Sequence, residues 1–191
     1  MATKIMIIRH GEKPSDDHSI RGVAEDGAHD PNELSVRGWQ RAGALIRLFA
    51  PPNGHFGHAA LETPDAIFAC APDEHTKSVR SEHTVLLLAQ FLNKAVDLHH
   101  RKGAEDKLVA AVTATKGVAL IAWEHNAIPD LAAAITGNNH TCPTKWPDSR
   151  FDVVWILERR TASGWMFTQA PQLVLPGDRG DVIEFVKTGA P

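Results

Sequence analysis

The chain has 191 residues, which suits one domain over residues 1–191 and is enough to bury a core without disulfides or a structural metal. With 43% hydrophobic and 23% charged residues it reads as a soluble globular protein, and a net charge of −3 with a pI near 6.4 gives no strong positive field for a nucleic-acid backbone. No apolar stretch has the length of a membrane span or the form of a signal peptide, and the two distant cysteines, Cys70 and Cys142, read as reduced thiols of a cytoplasmic protein, with one disulfide as the alternative.

The first predicted element is the continuous apolar run Ile5, Met6, Ile7 and Ile8, as a strand buried on both faces of a parallel sheet requires. It stops at Arg9, His10 and Gly11. Ligands of open α/β sheets bind beyond the carboxyl ends of the strands, so Arg9 and His10 would stand at such a site. Gly11 would let the backbone approach a ligand closely. Residues 14–32 follow as a long polar stretch with two glycines and two prolines, either a lid over that site or a solvated insertion.

Ser35 then caps a helix whose apolar positions Trp39, Ala42, Leu45, Ile46 and Phe49 recur at helical spacing, and Pro51 and Pro52 end it. Residues 64–70 read as a second buried strand. A helix is predicted from about residue 78 to 92, with Lys77, Ser78 and Arg80 in its first turn. A short strand at 95–98 and a helix at 104–115 come next. Val118 to Ala122 form the centre of a third buried strand, residues 117–123, which releases Glu124, His125 and Asn126 at its end. Pro129 suits the first turn of a helix that ends at Gly137. Residues 151–157 and 165–168 read as a hairpin around Ala162, Ser163 and Gly164, and residues 172–175 and 182–186 as short extended or helical pieces. The alternation predicts an α/β fold, a three-layer α/β/α sandwich with a mostly parallel sheet and an antiparallel C-terminal hairpin at its edge.

Parallel strands deliver their ends to one edge of a sheet. Arg9 and His10, Arg80, and His125 would therefore converge on one crevice, and guanidinium and imidazole donors suit a phosphoryl group. A helix N-terminus adds backbone donors.

At this point the sequence resembles the histidine phosphatase superfamily, which includes the phosphoglycerate mutases. Arg9-His10-Gly11-Glu12 matches the motif that defines it. Leu34 through Ala42 matches a second segment, Arg80-Ser81-Glu82-His83-Thr84 resembles the segment carrying the second arginine, and His125 takes the place of the second histidine. The short chain is similar to the small bacterial phosphohistidine phosphatase-like branch. The resemblance implies a phosphoglycerate mutase-like fold and a metal-independent phosphohydrolase without cofactor. His10 would be the nucleophile that becomes phosphohistidine, and Arg9, Arg80 and His125 would hold the phosphoryl oxygens. Gly11, Glu12, Lys13, Lys77 and Asn126 would contribute to phosphate or substrate binding. The substrate would be a small phosphoester or a phosphohistidine protein. A mutase-type phosphotransferase, or a non-catalytic module that binds phosphate, remains the alternative.

The proton donor is the point of departure from the family pattern. Asn126 stands after His125 where related acid phosphatases carry an aspartate. Glu12, Glu74, Glu105 and Glu124 are the candidates, although neighbours along a strand point to opposite faces, which counts against Glu124. Among the other features, His55 and His58 in a Gly-rich loop and the pair His99 and His100 lack the companions of a metal site, so none is expected. Cys70 near the second strand end reads as a structural thiol, and the tryptophans at 39, 146, 155 and 165 as core and rim. His18 and Arg21 are solvated loop residues by default. The sequence carries no sign of oligomeric state.

Overall fold

A computed structural model of the chain describes residues 1–74, 76–161 and 164–185. Its elements run β1 (Ala2–Arg9), α1 (Val36–Phe49), β2 (Ala66–Ala69), α2 (Arg80–Phe91), β3 (Val96–Asp97), α3 (Glu105–Ala114), β4 (Gly117–Trp123), α4 (Ile128–Thr136), β5 (Val153–Arg159) and β6 (Trp165–Pro171). They build one six-stranded sheet in the order β3-β2-β4-β1-β5-β6. The first four strands in that order are parallel; β5 runs antiparallel to β1, and β6 to β5.

The pleat of β1 explains the layers. Ile5 and Ile7 face one side with Leu108 and Val112 of α3 and Leu131 and Ile135 of α4. Met6 and Ile8 face the other, with Leu45 and Phe49 of α1 and Val85 and Leu88 of α2. All four β1 residues are fully buried, which is why the strand reads as an unbroken apolar run. The predicted three-layer sandwich is thus the observed fold.

Local signals act where the sequence places them. Ser35 Oγ accepts from Gly38 N at 3.2 Å and caps α1. Pro129 lies in the first turn of α4, and Gly137 closes that helix at φ 74°, a left-handed conformation in which a Cβ is costly. The start of α2 differs from expectation. The helix begins at Arg80, so Lys77 and Ser78 precede its first turn. Val79 takes the cap position without a side-chain bond, and its N–H donates instead to the Asn32 carbonyl at 3.3 Å. The hairpin forms as predicted, although Ala162 and Ser163 of its expected turn lie outside the described residues. Residues 172–175 and 182–185 form no regular element, and residue 186 of the second piece lies outside the described residues. No helix is long and apolar enough to cross a membrane among the described residues. Cys70 and Cys142 are both free thiols.

Candidate active site

The register of β1 on β4 decides the site. Arg9 pairs with Trp123, and His10 N–H continues the ladder to the Trp123 carbonyl at 3.2 Å. The two strands therefore end together, and His10 and His125 leave them at the same sheet edge. His10 is 5% exposed. Its Nδ1 lies 2.7 Å from the Gly11 carbonyl. A carbonyl only accepts, so Nδ1 carries the proton and the Nε2 lone pair is left unprotonated. Burial pushes the His10 pKa down to about 3; the Gly11 bond opposes this, and Arg9, Arg80 and His125 add to it. The ring is neutral at physiological pH, as a nucleophile requires.

Arg9 is buried, its guanidinium 3.9 Å above the Phe151 ring. Its Nη1 donates to the Asp148 carbonyl. Burial lowers its pKa to about 10, against the pull of Asp148 and Glu124. Arg80 Nη1 donates to the Pro31 carbonyl at 3.1 Å, and burial lowers this guanidinium too. His125 Nε2 lies 2.9 Å from Asp148 Oδ1, and its Nδ1 3.5 Å from Glu124 Oε1. Burial and Arg9 hold His125 below the ordinary histidine range, with Asp148 and Glu124 opposing. Among the described residues Arg9 Nε, Arg80 Nε and His125 Nδ1 are buried with no hydrogen-bond partner in the protein. Native proteins rarely leave such groups unpaired; the two guanidinium N–H groups suit an oxyanion, and His125 Nδ1 does so once it carries a proton, while Glu124 Oε2 is an acceptor without a hydrogen-bond partner beside them.

The other sequence-predicted residues part company here. Gly11 packs closely on α1: a Cβ there would meet the Gly38 carbonyl oxygen at 3.1 Å, so a larger side chain would crowd that helix. Its N–H donates to Thr84 Oγ1 at 2.7 Å. Glu12 accepts from Arg41 Nη2 at 2.8 Å and Arg37 Nε at 3.0 Å, and Arg41 continues to Asp178 at 2.7 Å. Glu12 is thereby a strut between the site loop and α1. Glu105 accepts the Trp123 indole N–H at 3.2 Å. Lys13 is exposed and 3.6 Å from Asp16, and Lys77 is exposed. Asn126 Nδ2 donates to Glu124 Oε1 at 2.8 Å. Glu124 reaches the His125 ring despite the strand rule, because both residues lie past the end of β4, where alternation no longer applies. Glu74 lines a cavity of about 840 Å³ beyond β2 and β3, together with His100, Arg101, Lys102 and Lys107. Lys102 of that wall lies 3.3 Å from Glu124. Among the described residues no three His, Cys, Asp or Glu side chains are gathered as metal ligands.

Sequence reasoning missed Asp148, Phe151 and Thr84. A signal for the first two existed. A strand antiparallel to β1 must begin at the edge where β1 ends, and Ile7 does pair with Trp155. Residues just before β5 are therefore carried to His10. Thr84 sits on the same buried face of α2 as Val85 and Leu88, where a hydroxyl among apolar residues needs a partner.

Neither a family model nor a curated protein matches the sequence. Solved structures do. SixA from Agrobacterium tumefaciens is 16% identical with a TM-score of 0.52, over 87% of this chain and 96% of its own. The protein histidine phosphatase SixA complexed with tungstate is 14% identical with a TM-score of 0.51, over 88% and 97%. YhfR of Bacillus stearothermophilus is 13% identical with a TM-score of 0.52, over 96% and 98%. The chain shares the fold of these solved structures.

Proposed function

We propose that the chain is a histidine phosphatase, a phosphohydrolase that moves a phosphoryl group from a phosphoester or phosphohistidine to water through phospho-His10. One observation carries the reading: a buried, neutral imidazole with its Nδ1 tied to the Gly11 carbonyl, beside the unpaired guanidinium N–H groups of Arg9 and Arg80 and the His125 ring. His10 Nε2 attacks phosphorus in line, the P–N bond forms, and the P–O or P–N bond to the leaving group breaks. The two guanidinium groups and His125 take up the charge spread over the three phosphoryl oxygens. Water then attacks the same phosphorus on the opposite side, the P–N bond to His10 breaks, and inorganic phosphate leaves with neutral His10 restored. No step calls on a metal ion or cofactor.

The carboxylates favour substrates with good leaving groups. Glu12 and Glu105 are engaged structurally, while Glu124 and Asp148 both serve His125. A phosphohistidine or an acidic alcohol departs with little help from an acid. Phosphate release from an aryl phosphate and from a phosphohistidine protein, compared between wild type and His10→Ala, tests the reading. Acid-labile, base-stable phosphate on wild type alone is expected. Turnover that survives in His10→Ala would overturn the mechanism, and tight phosphate binding without turnover would make the chain a binding module.

A further inference from the structure

Resting on that reading of the site, we propose that Asp148 is a positioning residue that makes His125 take up one proton when a tetrahedral oxyanion binds. Asp148 belongs to the connection between α4 and β5, and it touches the site twice. Its carbonyl accepts from Arg9 Nη1, and its Oδ1 lies 2.9 Å from His125 Nε2. The loop is fixed by its own anchors: the buried Trp146 donates its indole N–H to the Arg150 carbonyl at 2.8 Å, and Arg150 Nε donates to Asp152 at 2.7 Å. The Asp148 side chain itself is 85% exposed, so it is held out over the site rather than packed in the core.

An ionised carboxylate only accepts hydrogen bonds. Asp148 therefore selects the His125 form with the proton on Nε2. In a neutral ring this leaves Nδ1 as a bare lone pair. Nδ1 is the buried nitrogen without a hydrogen-bond partner, and it faces Glu124 Oε1 at 3.5 Å. A phosphoryl oxygen arriving there would also be an acceptor, so it is welcome only once Nδ1 is protonated. The groups that face the ring divide by sign. Burial, Arg9 of β1 and the neighbouring His10 site work against the imidazolium, while Asp148 before β5 and Glu124 after β4 work for it. A dianion lodged among Arg9 and Arg80 offsets the two cations and tips the ring to its charged form. Asp148 then holds an imidazolium whose Nδ1–H points at the oxyanion.

The sign follows by linkage. A group whose pKa is raised by binding takes up protons, and ligand affinity falls as pH rises. Tungstate is the probe, since it remains a dianion across the range and reports binding without turnover. Calorimetry in two buffers of different ionisation enthalpy should show close to one proton taken up per tungstate near pH 7.5, with affinity falling about tenfold per pH unit above it. Asp148→Asn should reduce the uptake to a few tenths of a proton and weaken tungstate roughly tenfold. Asp148→Glu should restore both. Nitrogen shifts of the His125 ring should show Nε2–H in the wild type and a mixed tautomer in Asp148→Asn. Tungstate binding without proton uptake, unchanged in Asp148→Asn, would overturn this inference and leave the phosphate site standing. Absence of tungstate binding to the wild type would overturn both.

Discussion

Thr84→Val tests whether the fold aims His10, the nucleophile of the proposed mechanism. Thr84 is fully buried on α2. Its Oγ1 accepts the Gly11 N–H at 2.7 Å and donates to the Arg80 carbonyl at 2.6 Å, so one hydroxyl joins the loop that orients His10 to the turn that carries Arg80. Valine keeps the shape and the β-branch but has no acceptor. The Gly11 N–H is then buried without a partner, which costs about 1–3 kcal/mol. For a chain of this size that corresponds to a drop in Tm of roughly 2–12 °C. The same loss frees the Gly11 carbonyl to move, and His10 Nδ1 moves with it. A misplacement near 1 Å costs up to about 100-fold in rate, so kcat should fall about 10- to 100-fold with KM changed far less. Thr84→Ser, which keeps the hydroxyl, should recover most of both effects. Thermal melting and steady-state hydrolysis of an aryl phosphate read them out. A Thr84→Val protein that melts and turns over like wild type would refute the claim that this bond aims His10.

Three further outcomes are expected. The His10 pKa is lowered from 6.5 to about 3, so the unfolded chain binds more protons in that window and the folded state loses stability as pH falls through it; urea unfolding should show wild type losing about 2 kcal/mol more than His10→Gln between roughly pH 6.5 and 5. Arg41→Met removes a guanidinium, 2% exposed, that is bound to Glu12 and Asp178, and should cost about 3–5 kcal/mol in the same assay, because the carboxylates are left buried. On the proposed mechanism exhaustive chelation should leave phosphate release unchanged, since the cationic groups assigned to the phosphoryl oxygens are side chains of this chain; a loss restored by a divalent ion would contradict that.

The fold was legible because its signals are local or periodic. The β1 and β4 runs are apolar on both faces since helices cover both, and Ser35, Pro129 and Gly137 mark helix ends by backbone chemistry that needs no tertiary context. The start of α2 was misread for the complementary reason. The sequence puts Lys77 and Ser78 in its first turn, but Val79 N–H donates to the Asn32 carbonyl, a partner 47 residues away in sequence that no window contains. Gly11 shows the same limit. A glycine beside a histidine at a strand end reads as room for a ligand, and its close packing on the Gly38 backbone is a second constraint that no local signal carries.

The proton economy of the site was the least legible part, and the reason is directional. Residues that follow a parallel strand reach the sheet edge by chain order, so Arg9, His10, Glu124 and His125 can be picked out as a group from the sequence. Asp148 reaches the same edge from the opposite chain direction, because the strand it precedes runs antiparallel to β1. A search confined to strand ends will find the cations, the histidines and Glu124 of such a site and overlook Asp148, which faces them from the other side. Glu12, two residues from His10 in sequence, is turned away to bind Arg41, while Asp148, more than 130 residues distant, holds His125. Charge balance gives the same assignment: Glu12 and Glu105 are spent on Arg41 and Trp123, Glu33 and Asp30 face Arg80, and the carboxylates facing Arg9 and His125 are Asp148 and Glu124.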